Sequence, residues 1–215
     1  MDKAVNSLKR FSPLGQYISL VSKKNRNLES TKLIGVSSDK EIIVSLYSGK
    51  NTNLTWCLLI SNNQFVVRLM DIEETRKLAV GLYKRKELAV VSSQYHVFEV
   101  NNPNLSSEYL MLIFKKESTD LQLLYMCFGG VRGELSWKDF IKLPISVPPL
   151  EVQKKVVNKY ETLDKTIQLK KKINEKLEDF MQCLFHLMFD NLEEFSNETF
   201  GNLFQIVRWG QTYKI

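Results

Sequence analysis

Cysteine is scarce in this chain and histidine scarcer. Cys57, Cys127 and Cys183 lie far apart with no C-x-x-C spacing, and His96 and His186 are the only histidines. An odd, scattered set of thiols does not read as a disulfide framework and suits a reducing compartment, while two lone histidines read as packing or surface residues rather than ligands or bases. Long apolar runs are missing too. No stretch approaches the roughly 18 residues of a membrane span, and no apolar segment follows Lys3, Lys9 and Arg10 to make a signal peptide. Secreted and membrane-spanning classes drop out, and a cytoplasmic location is expected. Catalytic motifs are absent as well. There is no G-x-x-x-x-G-K-[ST] loop for nucleotide. Asn102-Pro103 is followed by Asn104, not by the second proline of an amino-methyltransferase motif, and no Pro-Asp pair opens a nuclease motif. The expectation is a protein that is not an enzyme and uses neither cofactor nor metal.

What is present is enough to build a core. The chain has 215 residues, 44% of them hydrophobic, which suits one domain of about 150 residues with an appendage. Its net charge of +6 is unevenly placed: residues 1–149 hold 20 Lys and Arg against 14 Asp and Glu, and residues 150–215 hold 10 against 10. A basic excess confined to one segment is the footprint expected for phosphate contacts. The alternative is a merely solvated basic surface.

Residues 41–47, 55–60, 64–70, 78–83, 88–91 and 95–100 are short β-branched or aromatic runs separated by Asn, Ser, Gly and charge. They predict strands of one mixed sheet. Residues 105–117 carry apolar side chains at helical spacing with Ser106 or Ser107 as a cap, and residues 120–128 predict a further helical turn or two before Gly129-Gly130. The fold class is therefore an α/β domain, ending near residue 147.

Pro144, Pro148 and Pro149 then interrupt the chain. Proline cannot donate to a ladder and pushes its predecessor into an extended conformation, but it suits the first turn of a helix. A helix should begin there, with Glu151 favoured at the positive end of its dipole. Val156, Tyr160, Leu163, Ile167, Leu177, Met181, Leu184 and Met188 recur at spacings of 4 and 3, and the same rhythm carried across the gap lands on Lys170 and Asn174. These ten positions predict the seam of a coiled-coil arm, with two polar residues to fix its register. The alternative is a helix lying across its own domain. Residues 148–190 are assigned to this arm. Beyond it, residues 200–207 (FGNLFQIV) echo residues 14–21 (LGQYISLV), with Gly201 matching Gly15 and Val207 matching Val21, so residues 191–215 read as the start of a second repeat.

Three stretches carry a resemblance to a known family: RNLESTKLIGVSSDKEIIVS at 26–45, EYLMLIFKKE at 108–117 and VRGELSWKDFIKLPISVPPLEVQKKVV at 131–157. Together they resemble the specificity subunits of type I restriction-modification systems. The most specific element is Leu-Pro-Ile-x-x-Pro-x-Leu-Glu-x-Gln, Leu143 to Gln153, which in that family joins a target recognition domain to a helical spacer. The resemblance implies a non-catalytic subunit that reads a bipartite site in double-stranded DNA and docks modification subunits, which methylate adenine, and restriction subunits. With one complete unit and the first residues of another, it resembles a half-length or truncated member that pairs with a second copy or with a different half-subunit. The competing class is a coiled-coil adaptor whose basic domain binds an acidic protein. Candidates for DNA contact are Lys23, Lys24 and Arg26, then Lys84, Arg85 and Lys86, Lys115 and Lys116, Lys138, and Arg132 between Gly130 and Gly133 with Trp137 nearby. Most should meet phosphates and only a few should reach bases. For any single lysine the alternative is a solvated surface charge, and Trp137 may equally be core.

Overall fold

A computed structural model describes residues 11–44, 53–127 and 135–190. It divides into two compact units, residues 1–161 and 162–215. The first is built on a four-stranded antiparallel sheet in the order β2 (Ile18–Val21), β9 (His96–Val100), β6 (Gln64–Arg68), β7 (Ala79–Tyr83). Three two-stranded antiparallel sheets accompany it: β1 (Phe11–Pro13) with β10 (Pro144–Ser146), β3 (Ile34–Val36) with β4 (Ile42–Val44), and β5 (Leu58–Ile60) with β8 (Ala89–Val91). A single parallel bridge, Leu33 to Val90, links the last two. The helices are α1 (Ile72–Thr75), α2 (Ser107–Phe114), α3 (Glu117–Cys127), α4 (Trp137–Phe140) and α5 (Leu150–Phe189).

The expected α/β class and the long helix after it are what the structure contains. The expectation of one sheet is corrected, because the six predicted strands fall in three sheets. The reason lies in burial. A sheet with one wet face alternates apolar and polar residues, whereas β6 buries Phe65, Val66 and Val67 in succession. Phe65 and Val67 join the core beneath the helices, where Phe65 stacks on Phe98 at 4.8 Å and both meet the edge of Phe114. Val66 and Val97 point the other way, into a second core with Ile34, Ile60, Tyr83, Ala89 and Val91. Whereas β10 packs through Ile145 into the core on the helix side, the β3–β4 and β5–β8 sheets therefore cover the back of the large one. Gly81 permits this, since a Cβ there would lie 2.5 Å from the Ile42 side chain.

Polar groups tie the layers together. The Lys40 ammonium is buried, donating to the Asp120 carboxylate at 2.6 Å and to the Phe114 carbonyl, while the other Asp120 oxygen accepts the Leu78 N–H at 3.0 Å. A buried ion pair persists only when its remaining hydrogen-bonding sites are filled, and here the β3–β4 hairpin, β7 and both middle helices supply the partners. Ser106 caps α2 by accepting from the Tyr109 N–H.

The prolines behave as their chemistry dictates. Pro144 opens β10 opposite Pro13, at an edge where neither is asked to donate, and the Pro149 carbonyl accepts the first N–H groups of α5 from Val152 and Gln153. Gln153 is fully buried. Its carbonyl oxygen accepts the Ser106 N–H at 2.9 Å, and its amide nitrogen donates to the Asn104 and Pro148 carbonyls, both at 2.7 Å. Val157, one turn on, is buried beside it in sequence phase. From Thr162 onward every described residue of α5 is exposed.

Two outcomes follow from these contacts. Gln153→Leu keeps side-chain bulk but takes the partner from the Ser106 N–H, the buried Pro148 carbonyl and the part-buried Asn104 carbonyl; we expect a loss of about 2–4 kcal/mol in urea unfolding, and a change below about 0.5 kcal/mol would show that other contacts hold the helix root. His96 stacks on Trp137 at 5.3 Å, and burial pushes its pKa below the ordinary 6.5. The unfolded chain therefore binds a proton that the folded one resists, so stability should fall as pH drops below about 6.5 and flatten only beneath the folded value. His96→Phe should remove that part of the slope in melts taken across pH 7.5 to about 5.

Candidate nucleic-acid interface

The residues predicted to meet DNA fall into separate places. Lys23, Lys24 and Arg26 lie in the loop after β2, and Lys84, Arg85 and Lys86 in the connection from β7 to β8. Both loops are fastened to one small lobe whose core is Leu33, Cys57, Leu59 and Val90, with Leu54 and Leu88 packed against it. The fastening is largely backbone: Leu59 N–H donates to Lys23 O at 2.8 Å, Asn25 N–H to Cys57 O at 3.0 Å and Val90 N–H to Lys32 O at 2.9 Å. Ser30 Oγ adds a donation to Leu88 O at 2.8 Å. Loops this short of apolar side chains hold their shape when buried polar groups fix them.

Asn25 is the fixing residue. It is fully buried, and its Nδ2 donates to the carbonyls of Ser30, at 2.8 Å, and Leu54, at 3.2 Å, while Oδ1 accepts the Ser30 N–H. Lys24 and Arg26, its neighbours in sequence, are both exposed.

Charges in this lobe are unequally neutralised. Lys23 pairs with Glu29 at 2.9 Å, Lys32 with Glu87 at 3.1 Å and Lys84 with Glu108 at 3.7 Å. Lys24, Arg26, Arg85 and Lys86 have no ion pair among the described residues. Exposed cations without a carboxylate partner are the ones free to meet phosphate.

The other candidates lie elsewhere. Lys115 sits 3.5 Å from Glu41 and 5.4 Å above the Tyr160 ring, at the root of α5. Lys116 is exposed at the junction of α2 and α3, and Lys138 is exposed on α4 beside Asp139, whose carboxyl is held below its usual range mainly by hydrogen bonds from Lys142 and Ser136. Arg132 falls outside the described residues, as does the second-repeat stretch at 191–215. Trp137 packs among His96, Phe98 and Phe140, so of its two sequence readings the core one holds.

Sequence reasoning missed Trp56. The run Thr55 to Ile60 was expected to be strand throughout, which would bury an aromatic at its second position. Instead Leu54–Trp56 forms a 3-10 turn, capped by Asn53 accepting the Thr55 N–H, and the strand starts at Leu58. Trp56 is left 64% exposed, with Lys24 Nζ 5.2 Å from its ring centre. The signal was Asn53 ahead of Leu54-Thr55-Trp56, a capping residue where a strand would have wanted β-branched side chains.

The helix has more apolar surface than its predicted seam. Leu163, Ile167, Leu177, Met181, Leu184 and Met188 are exposed, and so are Lys170 and Asn174. Tyr160 is partly engaged by Lys115. Seven-residue steps also join Ile173, Phe180 and Leu187, all exposed, directly beside Leu177 and Leu184. Three apolar positions per heptad make a face of the width used in helix bundles, wider than the two of a simple coiled coil. Among the described residues no helix is long and apolar enough to cross a membrane.

Residues 79–179 match the model of the type I restriction modification DNA specificity domain. The chain is 28% identical over 102 residues to the HindI specificity subunit of Haemophilus influenzae, covering 46% of this chain and 22% of that protein. It is 34% identical over 94 residues to the MjaIX specificity subunit of Methanocaldococcus jannaschii, covering 44% and 22%. Among solved structures the fold resembles the HsdS subunit of Thermoanaerobacter tengcongensis, with a TM-score of 0.59, 15% identity, and 83% of this chain covering 47% of that one. It also resembles the S subunit from M. genitalium, with a TM-score of 0.51, 14% identity, and 85% covering 46%. The matched region is thus about a fifth of the curated relatives' length and under half of the solved chains'.

Proposed function

We propose that this chain is a type I restriction-modification specificity subunit, which recognises duplex DNA for partner subunits that carry out the chemistry; the match over residues 79–179 supports the reading. The observation that carries the reading is the lobe around Leu33, Cys57, Leu59 and Val90, where four exposed cations have no ion pair among the described residues and two of them, Lys24 and Arg26, sit on a loop held by the buried Asn25. Residues 1–147 would form the target recognition domain, residues 148–190 the spacer helix, and residues 191–215 the opening of a second repeat. Modification subunits would place a methyl group on adenine at the recognised site, and restriction subunits would translocate and cut. Lys24, Arg26, Arg85 and Lys86 are the preferred phosphate contacts, with Lys23, Lys84, Lys116, Lys138 and Arg132 as further ones. Lys115 is the weakest candidate, being engaged by Glu41 and Tyr160.

The helix supplies the assembly. Its 40 residues make a rod of roughly 60 Å, longer than the ~34 Å turn of B-DNA. Two copies of this chain, paired antiparallel across the apolar face about a twofold axis, would present two identical recognition domains. Identical domains read inverted half-sites, so the target would be an interrupted palindrome. The extra stripe of Ile173, Phe180 and Leu187 offers room for helices of the modification subunits beside the second copy.

Salt-dependent binding tests the DNA reading. The logarithm of the binding constant for duplex should fall steeply and linearly with the logarithm of salt, losing roughly 0.9 in slope magnitude for each phosphate contact removed, as in Lys24→Ala or Arg26→Ala. Binding with a flat salt response would point to a protein partner instead. Light scattering and adenine-methylation mapping test the assembly: a dimer and a palindromic motif are expected, whereas a monomer within the complex or an asymmetric motif would favour pairing with a different half-subunit. Leu177→Asp with Met181→Asp should abolish dimerisation and modification-subunit binding while leaving the recognition domain folded, because two charges in an apolar interface are strongly unfavourable.

A further inference from the structure

We propose that Trp56 is a base-contacting residue of the recognition domain, presented to the groove by a rigid platform in which Lys24 braces the indole and Arg26 reaches the neighbouring phosphate. The proposal rests on the DNA reading above and assigns it a specificity-determining side chain. Trp56, Thr55, Lys24 and Arg26 line one open cleft. A tryptophan this exposed is unusual, since burying so large an apolar surface is normally favourable. Its exposure is enforced by structure. The 3-10 turn is capped by Asn53 at one end and closed at the other by the Cys57 N–H donating to Leu54 O at 3.2 Å. Cys57 and Leu59 on either side of Leu58 are buried in the lobe, so the turn cannot roll inward to cover the ring.

The platform is preorganised with respect to both partners. Asn25 lies between Lys24 and Arg26 in sequence and hydrogen-bonds the carbonyl of Leu54, two residues before Trp56. The Lys24–Leu58 bridge ties the two segments again just after it. The cations and the indole therefore move as one body, and little side-chain or loop entropy is left to lose on binding. One face of the ring is occupied by the Lys24 ammonium, which interacts with its π-density. The opposite face and the edge remain for a ligand. Nucleic acid is the chemistry that uses all three groups: phosphate for the cations, and a base edge, a thymine methyl or a partly opened base step for a flat apolar side chain. Phosphate contacts position a protein without carrying sequence information, whereas contacts to base edges in the groove do carry it.

The test selects bound duplexes from a random-sequence library with the full chain, its Trp56→Ala and Trp56→Phe variants, and Lys24→Ala. The wild type should enrich a motif. Trp56→Ala should lose preference at one or two adjacent positions of it, with discrimination there falling about tenfold, while binding to unselected duplex and its salt slope stay within about twofold. Trp56→Phe should restore part of the preference, and Lys24→Ala should weaken binding to all sequences and also blunt the preference at the positions that Trp56 reads. In parallel, duplex should quench the tryptophan fluorescence of the wild type, and Trp56→Phe should remove most of that quenching. An unchanged motif in Trp56→Ala, an equal loss on all sequences, or quenching untouched in Trp56→Phe overturns the assignment while leaving the DNA reading intact. A wild-type chain that binds no duplex, or binds without enriching any motif, overturns that reading and the assignment with it.

Discussion

The buried amide of Gln153 is the joint on which the arrangement turns. A helix that starts at a domain surface has four N–H groups without helical partners and a direction that nothing inside the helix fixes. Pro149 answers the first problem by accepting from Val152 and Gln153, and Gln153 answers the second by bonding outward to three backbone groups. One of them is the N–H of Ser106, the residue that caps α2, so a single side chain fixes the start of the long helix against the start of the helix lying over the sheet. An apolar residue could fill the same space but would take the partner from each of these groups, and a donor or acceptor left unpaired where it is buried, as the Pro148 carbonyl is, costs about 1–3 kcal/mol. The motif Leu143 to Gln153 is therefore mechanical: Leu143 and Ile145 anchor β10 in the core, the prolines end the strand, and the glutamine sets the helix.

Sandwiching the main sheet between the helices and the β3–β4 and β5–β8 sheets has a second consequence. Its residues are spent on packing at both faces, with Phe65, Phe98 and Phe114 on one side and Val66, Val97 and Tyr83 on the other. On that sheet only Leu20, on the edge strand β2, is exposed. The proposed recognition surface lies instead on the lobe of β5 and β8, where strands of three residues carry loops fixed by Asn25 and Ser30. Loops held by polar networks can change their outward residues without disturbing a core, which is what a reader of sequence requires.

Much of this was legible in the chain. The proline cluster announced the helix start, Ser106 announced the cap of α2, and the uneven charge singled out the first domain. The sheet organisation was not, because a three-residue apolar run such as Leu58–Ile60 reads the same whether it extends a large sheet or forms a small one. Burial on both faces of β6 was visible as consecutive apolar residues, yet only the fold shows what covers each face. Gln153 and Asn25 were illegible as clamps, since a polar residue in a polar neighbourhood carries no mark of burial. Trp56 was hidden for the opposite reason: an aromatic next to Cys57, Leu58, Leu59 and Ile60 looks like core, and Asn53 is the sole hint that the chain turns there.

The division of charge gives the two parts different physics. The recognition domain holds the whole positive excess and the segment after residue 149 is balanced, so attraction to phosphate belongs to one part and is screened over about 8 Å at physiological ionic strength. The helix instead offers a broad apolar face with Lys170 and Asn174 interrupting it. Burial of apolar area is little weakened by salt and is strengthened by some salts. On the proposed function, conditions that loosen contact with DNA would therefore leave the helix partners in place. An assembly built this way can release one DNA site and test another without coming apart, because the interaction that holds its members together is not the one that must be broken and remade along the duplex.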